Sequence, residues 1–194
     1  MSRYFTSDLH IRHDVAVIHR GFVNEDGSAD HDGHEIVLAL NWDAVVHESD
    51  TVYILGDIAM NPNKGAFDFI DARPGRKILI SGNHDATASF HSKASAAQRK
   101  WLDHFESIHD FLQIKIDGQK VLLSHYPYQG EGERNIDDRH TQFRLRDEGM
   151  PLLHGHTHSR YITSHNPNQF HVGLDAWDTG LVSEQDVVRW LAGR

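Results

Sequence analysis

The chain contains no cysteine among its 194 residues. This absence excludes disulfide bonds, thiolate metal ligands and a cysteine nucleophile, so any metal chemistry must use nitrogen and oxygen ligands. Long apolar runs are missing too: no stretch approaches the roughly 18 residues needed to cross a bilayer, and residues 1–5 do not begin a signal-peptide pattern. We therefore expect a soluble, cytoplasmic protein that does not associate with membranes.

Basic residues are in the minority. The sequence has 19 lysines and arginines against 28 aspartates and glutamates, a net charge of −9, and no dense basic run. Binding to long nucleic acids normally uses a basic surface that releases counterions. A small phosphorylated substrate is therefore easier to reconcile with this composition than a long nucleic acid. The oligomeric state is left open.

The length of the chain is that of one ordinary domain, which predicts a single domain over residues 1–194. Short apolar runs typical of buried strands alternate with helical patterns, and this alternation indicates an α/β protein. The predicted strands are residues 4–6, 51–55, 77–80, 121–123 and 152–153. The predicted helices are residues 14–22, with Asp14 as the N-cap, 35–47, 65–72, 94–105 and 183–192, with Ser183 as the N-cap.

The second half of the chain introduces antiparallel pairing. Residues 111–116 and 119–124 are strand-like and flank Asp117-Gly118, a dipeptide typical of a two-residue β-hairpin turn. Two long polar loops are predicted at residues 24–33 and 128–149, and loops of this length are more often functional than ornamental.

Five polar clusters follow these strand-like runs or lie beside glycines. They are Asp8-Leu9-His10, Gly56-Asp57, Gly82-Asn83-His84-Asp85, Ser124-His125 and Gly155-His156-Thr157-His158. Imidazole nitrogens and carboxylate oxygens suit a pair of divalent cations, and one carboxylate can bridge two ions. Taken singly, the clusters have plain structural explanations, since Asp8 suits a turn, Asn83 suits a left-handed turn and His125 suits a strand end.

Together and in this order, the clusters resemble the motifs of the calcineurin-like metallophosphoesterases: Asp-x-His, Gly-Asp, Gly-Asn-His-Asp/Glu, a lone histidine and Gly-His-x-His. His13 and the segment 172–178 are similar to those of the small bacterial and phage members. The resemblance covers about residues 3–177. It implies a fold of two mixed β-sheets packed as a sandwich and flanked by helices.

The resemblance also implies roles for eight residues. Asp8, His10 and His158 would hold the first metal ion. Asn83, His125 and His156 would hold the second, and Asp57 would bridge the two ions. His84 would donate a proton to the leaving oxygen. The roles of His13, Asp85 and the loop at residues 128–149 stay open.

Such a site implies an enzyme, a phosphoesterase that attacks phosphorus with a metal-bridging hydroxide. The substrate that we expect is a small phosphodiester, such as a cyclic nucleotide or a 2′,3′-cyclic phosphate. The alternatives are a phosphomonoesterase, a nuclease acting on short nucleic-acid ends, or a non-catalytic scaffold of the same fold. For the two ions the N/O ligand set suits Mn, Fe, Zn, Co or Ni, and we favour Mn.

The diester preference depends on missing arginines. The protein-phosphatase branch of the family carries arginines soon after its Gly-Asp and Gly-Asn-His motifs, whereas residues 58–61 (Ile-Ala-Met-Asn) and 86–89 (Ala-Thr-Ala-Ser) contain none here. A dianionic monoester benefits from cationic clamps, so their absence favours a monoanionic diester. A substrate could still be contacted by Arg12, by Arg160 or by an arginine of the loop at residues 128–149.

Overall fold

A five-stranded β-sheet forms one layer of the computed structural model, which describes residues 1–60 and 64–194. Its strands, in sheet order, are β4 (Ser107–His109), β3 (Arg76–Ile80), β2 (Thr51–Ile54), β1 (Arg3–Thr6) and β9 (Val182–Ser183). Strands β4 to β1 are parallel, and β9 runs antiparallel to β1. The carboxyl ends of four strands therefore lie at one edge of the sheet, where ligand clefts of α/β sheets form.

The second sheet has four strands in the described residues. They lie in the order β5 (Phe111–Ile116), β6 (Gln119–Ser124), β7 (Leu152–His154) and β8 (Gln169–His171). Strands β5 and β6 form the predicted hairpin, and its turn residues Asp117 and Gly118 both have positive φ, 48° and 77°. Strands β6, β7 and β8 are parallel.

Strand β2 and the residue after it explain how the layers stack. Val52 and Ile54 pack into the core under the helices, whereas Tyr53 and Leu55 pack into the core shared by the two sheets. Alternate residues of a strand face opposite sides, so a sheet covered on both faces needs a continuous apolar run. The predicted sandwich of mixed sheets with outer helices is confirmed.

The helices in the described chain are α1 (Asp14–His19), α2 (His31–Asp43), α3 (Lys64–Asp71), α4 (Ala94–Trp101) and α5 (Glu184–Ala192). Each corresponds to a predicted helix, with shifted ends. The start of α2 was predicted wrongly at residue 35, because the Asp30 carboxylate accepts the Gly33 N–H and begins the helix within the predicted loop. Asp14 is the first helical residue rather than the N-cap. Ser183 caps α5 as predicted, in a reciprocal capping box with Asp186.

Three short strands were not predicted: β4, β8 and β9. Strand β9 has two residues and β4 and β8 have three each, which is too short for a periodic signal. In the part of the chain that is described, no helix combines the length and the apolar character that a membrane crossing requires.

Candidate metal centre

The five polar clusters converge at one edge of the sandwich. Each begins within a few residues of the carboxyl end of a strand: β1, β2, β3, β6 and β7. The sheet order brings β1, β2 and β3 side by side, and β6 pairs with β7 in the facing layer. The topology thus joins clusters that are up to about 150 residues apart in the sequence.

A first trio consists of Asp8, His10 and His158. Their ligand atoms all lie within 4.8 Å of one another. His10 Nε2 is 3.1 Å from His158 Nε2, and His158 Nε2 is 3.8 Å from Asp8 Oδ1. The trio thus directs two imidazole nitrogens and one carboxylate at the same point.

A second trio consists of Asn83, His125 and His156. Asn83 Oδ1 lies 3.1 Å from His125 Nε2 and 3.0 Å from His156 Nδ1, and these two nitrogens are 3.3 Å apart. Donor atoms bound to one ion at about 2.0–2.2 Å and at right angles would be roughly 3 Å apart, so the three spacings suit a shared cation.

Asp57 lies between the two trios. Its Oδ2 is 3.8 Å from His10 Nε2 of the first trio and 3.5 Å from His125 Nε2 of the second. Ligand atoms of Asp8, Asp57 and His125 also form a group within 4.8 Å. The two trios therefore adjoin, and one carboxylate faces both.

The tautomers of the imidazoles suit metal ions. His125 Nδ1 is 2.7 Å from the Leu55 carbonyl oxygen, which places the proton on Nδ1 and leaves a lone pair on Nε2. In the neutral ring that lone pair faces Asn83 Oδ1, and a cation between the two atoms would bind both. Burial lowers the pKa of His156 to about 4, which keeps that imidazole neutral as a metal ligand must be.

Negative charge is concentrated among these groups. Asp8, Asp57 and Asp85 are all buried. Burial raises the pKa of Asp57 to about 7; His125 opposes this rise, whereas Asp85 and Asp8 add to it. Buried carboxylates this close are costly unless cations compensate them. The donor chemistry of the site therefore fits divalent ions.

Five of the eight predicted site residues have a left-handed backbone. They are Asp8, His10, Asp57, His156 and His158, with φ between 47° and 71°. Such a conformation is uncommon for residues other than glycine and clusters at functional sites. The loops thus accept strain that a purely structural turn would avoid by using glycine.

Two glycines are needed for the close approach of the clusters. A Cβ atom at Gly82 would overlap the Asp57 carboxylate, and one at Gly155 would overlap the Ser7 hydroxyl and lie 2.6 Å from Asp8 Oδ2. Any side chain at either position would push a site carboxylate out of place.

His84 lies at the open side of the centre. Its side chain is 34% exposed, its Nε2 is 3.9 Å from Asp57 Oδ2, and its backbone N–H donates to Asp57 Oδ1. Burial, with His125 and His13 nearby, lowers the pKa of His84 to about 4. The ring is therefore beside the two trios and accessible to a substrate, and it is neutral in the free site.

Asp85, which the sequence left unassigned, organises the loops. The buried carboxylate accepts backbone N–H groups from Gly82, Asp57 and Ile58 at 2.8, 2.9 and 3.2 Å. It thereby ties the loop after β3 to the loop after β2. Asp57 and Asn83 depend on this connection for their relative position.

Two further carboxylates orient histidines of the trios, and sequence reasoning missed both. Asp175 Oδ2 is 2.9 Å from His158 Nδ1, and Arg20 donates to both carboxylate oxygens of Asp175 at 3.1 Å. Arg20 also donates to the backbone carbonyls of Asp8 and Leu9. Asp175 lies in the segment 172–178, which is similar to that of the small family members, but its pairing with His158 is evident only from the structure.

Glu131 is the second of these carboxylates. It is buried inside the 128–149 loop, and its Oε1 lies 3.5 Å from His156 Nε2. Arg139 and Arg144 both pair with it. Burial alone would raise the pKa of Glu131, but the His156 imidazole and Arg139 outweigh it and lower that pKa. The loop is therefore attached to the site through His156.

Two other histidines lie beside the centre. The His13 ring is 5.0 Å from the His10 ring, which leaves it outside both trios. His154 faces its neighbour's carbonyl oxygen, at 2.9 Å from Gly155 O, and stacks on His171. Neither residue belongs to the groups of candidate ligands among the described residues.

Most of the arginines considered for substrate contact are already paired. Arg12 pairs with Asp32 and Glu35, Arg139 and Arg144 pair with Glu131, and Arg146 pairs with Glu148. Among the described residues, only Arg134 and Arg160 of this set have no carboxylate partner. Asn61, in the first arginine-free stretch, lies outside the described residues.

Comparison with known proteins shows which family and which proteins this chain resembles. A family model described as "Calcineurin-like phosphoesterase superfamily domain" matches residues 1–174. The chain is 41% identical over 196 residues to the Gene 66 protein of Mycobacterium phage L5, covering 95% of this chain and 91% of that protein. It is 43% identical over 185 residues to the Gene 66 protein of Mycobacterium phage D29, covering 90% and 88%. A crystal structure of a protein of unknown function from Aquifex aeolicus is similar, with 25% identity, a TM-score of 0.68, and coverage of 97% of this chain and 98% of that one.

Proposed function

The chain belongs to the calcineurin-like phosphoesterase superfamily, and we propose that it is a dinuclear-metal-dependent hydrolase of small phosphodiesters of the cyclic-nucleotide or 2′,3′-cyclic-phosphate type. The observation that carries the proposal is the pair of adjoining trios with Asp57 facing both. The first trio would hold one divalent ion, the second trio would hold the other, and Asp57 would bridge them. Mn is the favoured metal, with Fe, Zn, Co and Ni as alternatives.

Two divalent ions at these positions would supply Lewis-acid polarisation of a phosphoryl oxygen and would lower the pKa of a water molecule. The protein supplies the orientation. Asp175 and the Leu55 carbonyl hold His158 and His125 with one ring nitrogen turned to the centre. His84 would stand beside the leaving oxygen and protonate it.

A diester fits the charges around the centre better than a monoester. Residues 58–60 and 86–89, which directly follow Asp57 and Asp85, contain no arginine that could bind a second phosphate charge. The partner that we propose is accordingly a small phosphorylated molecule. Location in the cytoplasm and the absence of long nucleic-acid partners stay predictions.

Metal dependence and substrate class are tested on one preparation. We expect that chelated, dialysed protein has no activity above the buffer blank. We expect that Mn²⁺ restores hydrolysis of bis(p-nitrophenyl) phosphate, with a kcat/KM higher than that for p-nitrophenyl phosphate. Release of p-nitrophenolate measures both. Faster turnover of the monoester would contradict the diester proposal and favour a phosphomonoesterase. If metal stimulated the turnover of neither ester, the result would favour a non-catalytic scaffold.

Replacement of Glu131 tests the role of the 128–149 loop at the second trio. We expect that Glu131→Gln weakens the binding of the second Mn²⁺ by about 10- to 100-fold, because residues that orient a ligating histidine have effects of this size. Calorimetric titration of metal-free protein measures the affinity for each ion. Glu148→Gln, which removes an exposed carboxylate of the same loop, should leave both affinities unchanged. Equal affinities in the Glu131→Gln variant and the wild type would contradict the role.

A further inference from the structure

A cavity of about 600 Å³ opens beside His158. One wall comes from α1 and the residue before it, and the other comes from the segments around residues 133 and 158. The lining residues that matter for its chemistry are Val15, Ala16, Glu133, Arg134, His158 and Arg160. This volume is in the range of small-molecule sites. Since His158 belongs to the first trio, a substrate whose phosphate lies at the metal centre can extend into this cavity.

The cavity is lined by Arg134 and Arg160, the two arginines of the set considered for substrate contact that form no ion pair with a described carboxylate, although the charges of Glu131, Asp8 and Glu133 act on Arg134. Glu133 also lines it and takes a different role, because its Oε1 accepts the backbone N–H of Arg160 at 3.0 Å. His13 and His19 are the remaining titratable groups on the wall, besides His158. With two guanidinium groups and one carboxylate, the cavity carries a positive charge on a chain whose net charge is −9.

Arg134 is held in place. Its Nη2 donates to the backbone carbonyls of His156 and Thr157 at 3.2 and 2.7 Å. A guanidinium has five N–H groups, and those on Nε and Nη1 have no hydrogen-bond partner in the described residues. These bonds hold the Arg134 guanidinium against the segment that carries His156 and His158. Its Nε and Nη1 N–H groups remain available to an anion.

Val15 and Ala16 are apolar residues of the α1 wall. Val15 is 70% exposed and stands next to Ala16 on α1. An exposed apolar side chain in a cavity mouth suits an organic group, such as a sugar or a base. The cavity thus combines a surface for an organic group with donors for an anion.

We propose that this cavity is a subsite for a nucleoside-sized group that carries a second phosphate. The substrate class is then a phosphodiester with a further phosphate on its organic part. The proposal rests on the proposed function, because it assigns the substrate of the same centre. Arg160 and Arg134 bind the second phosphate, and the reacting phosphate stays at the two trios.

Two matched substrates test the subsite. One is the p-nitrophenyl ester of thymidine 5′-phosphate, and the other is the same ester with a phosphate on its 3′ hydroxyl. In both, water adds to the 5′ phosphorus, the bond to the nitrophenyl oxygen breaks, and p-nitrophenolate leaves. We expect a KM about tenfold lower for the 3′-phosphorylated ester with the Mn²⁺-loaded protein, since one hydrogen bond to a charged group accounts for about that ratio.

Three variants that are expected to lower, raise or leave unchanged the ratio of the two KM values complete the test. Arg160→Ala removes one of the two guanidinium groups proposed to bind the second phosphate, so it should move the ratio of the two KM values towards one. Glu133→Gln, which removes a like charge but keeps the acceptor for the Arg160 N–H, should enlarge the ratio. Arg146→Ala, which removes an exposed arginine paired with Glu148, should leave it unchanged.

A wild-type ratio of one, or a ratio in Arg160→Ala equal to that of the wild type, overturns the subsite, while turnover of the esters upholds the phosphodiesterase. Failure to hydrolyse either ester or bis(p-nitrophenyl) phosphate overturns the proposed function itself. The two failures are therefore distinguishable.

Discussion

Replacing His84 with alanine is expected to lower kcat by about 10²- to 10⁴-fold for a diester with a poor leaving group, the usual contribution of a positioned general acid. The imidazole is 34% exposed at the open side of the centre, 3.9 Å from Asp57 Oδ2. This position lets it reach a departing oxygen without serving as a ligand. Steady-state kinetics with an alkyl diester, such as a dinucleotide, measures the loss.

The leaving group separates proton donation from other roles. p-Nitrophenolate leaves without a proton, so His84→Ala should reduce the hydrolysis of bis(p-nitrophenyl) phosphate much less than that of the alkyl diester. The pKa of about 4 means that His84 is neutral in the free site, and the arriving anionic phosphate must raise this pKa for the ring to donate. Equal losses for both substrates would contradict proton donation.

Metal content provides the control on His84. The variant should retain two Mn²⁺ per chain, because its imidazole belongs to neither trio. His165→Ala, the loss of an exposed histidine that belongs to neither trio, should change neither kcat nor metal content. Loss of an ion from His84→Ala would make this residue a ligand and would require a different proton donor.

The sequence predicted that the candidate metal ligands lie close together, but not which carboxylates orient the histidines among them. Asp8, Asp57 and Asn83 follow strands whose parallel arrangement brings their carboxyl ends together, so their proximity follows from local pattern and family order. Asp175 and Glu131 act through pairing across 17 and 25 residues, with His158 and His156, and no periodicity marks such contacts.

The same limit applies to the fold. Strands β2 and β3 contain apolar runs long enough to recognise, whereas β8 and β9 have three and two residues. These short strands form because neighbouring strands supply hydrogen-bond partners, and local propensity contributes little. The early start of α2 depends on one side chain, Asp30, in a segment that otherwise has the composition of a loop.

Asp85→Ala is expected to give the largest loss of stability, about 3–5 kcal/mol in the free energy of unfolding. The change leaves the buried N–H groups of Gly82, Asp57 and Ile58 without their acceptor, and each unsatisfied donor costs about 1–3 kcal/mol. Folded domains have about 5–15 kcal/mol in total, so the variant should unfold at a much lower urea concentration. Urea denaturation of metal-free protein measures this loss apart from metal binding.

The asparagine variant and an exposed aspartate make the test specific. Asp85→Asn keeps one oxygen acceptor and nearly the same volume, so we expect a loss of about 1–2 kcal/mol. Asp110→Ala removes an exposed carboxylate that accepts from Ser89, and it should cost less than about 1 kcal/mol. If Asp85→Ala and Asp110→Ala unfolded at the same urea concentration, Asp85 would not hold the loops after β2 and β3 together. Asp57 and Asn83 would then need another source for their fixed separation.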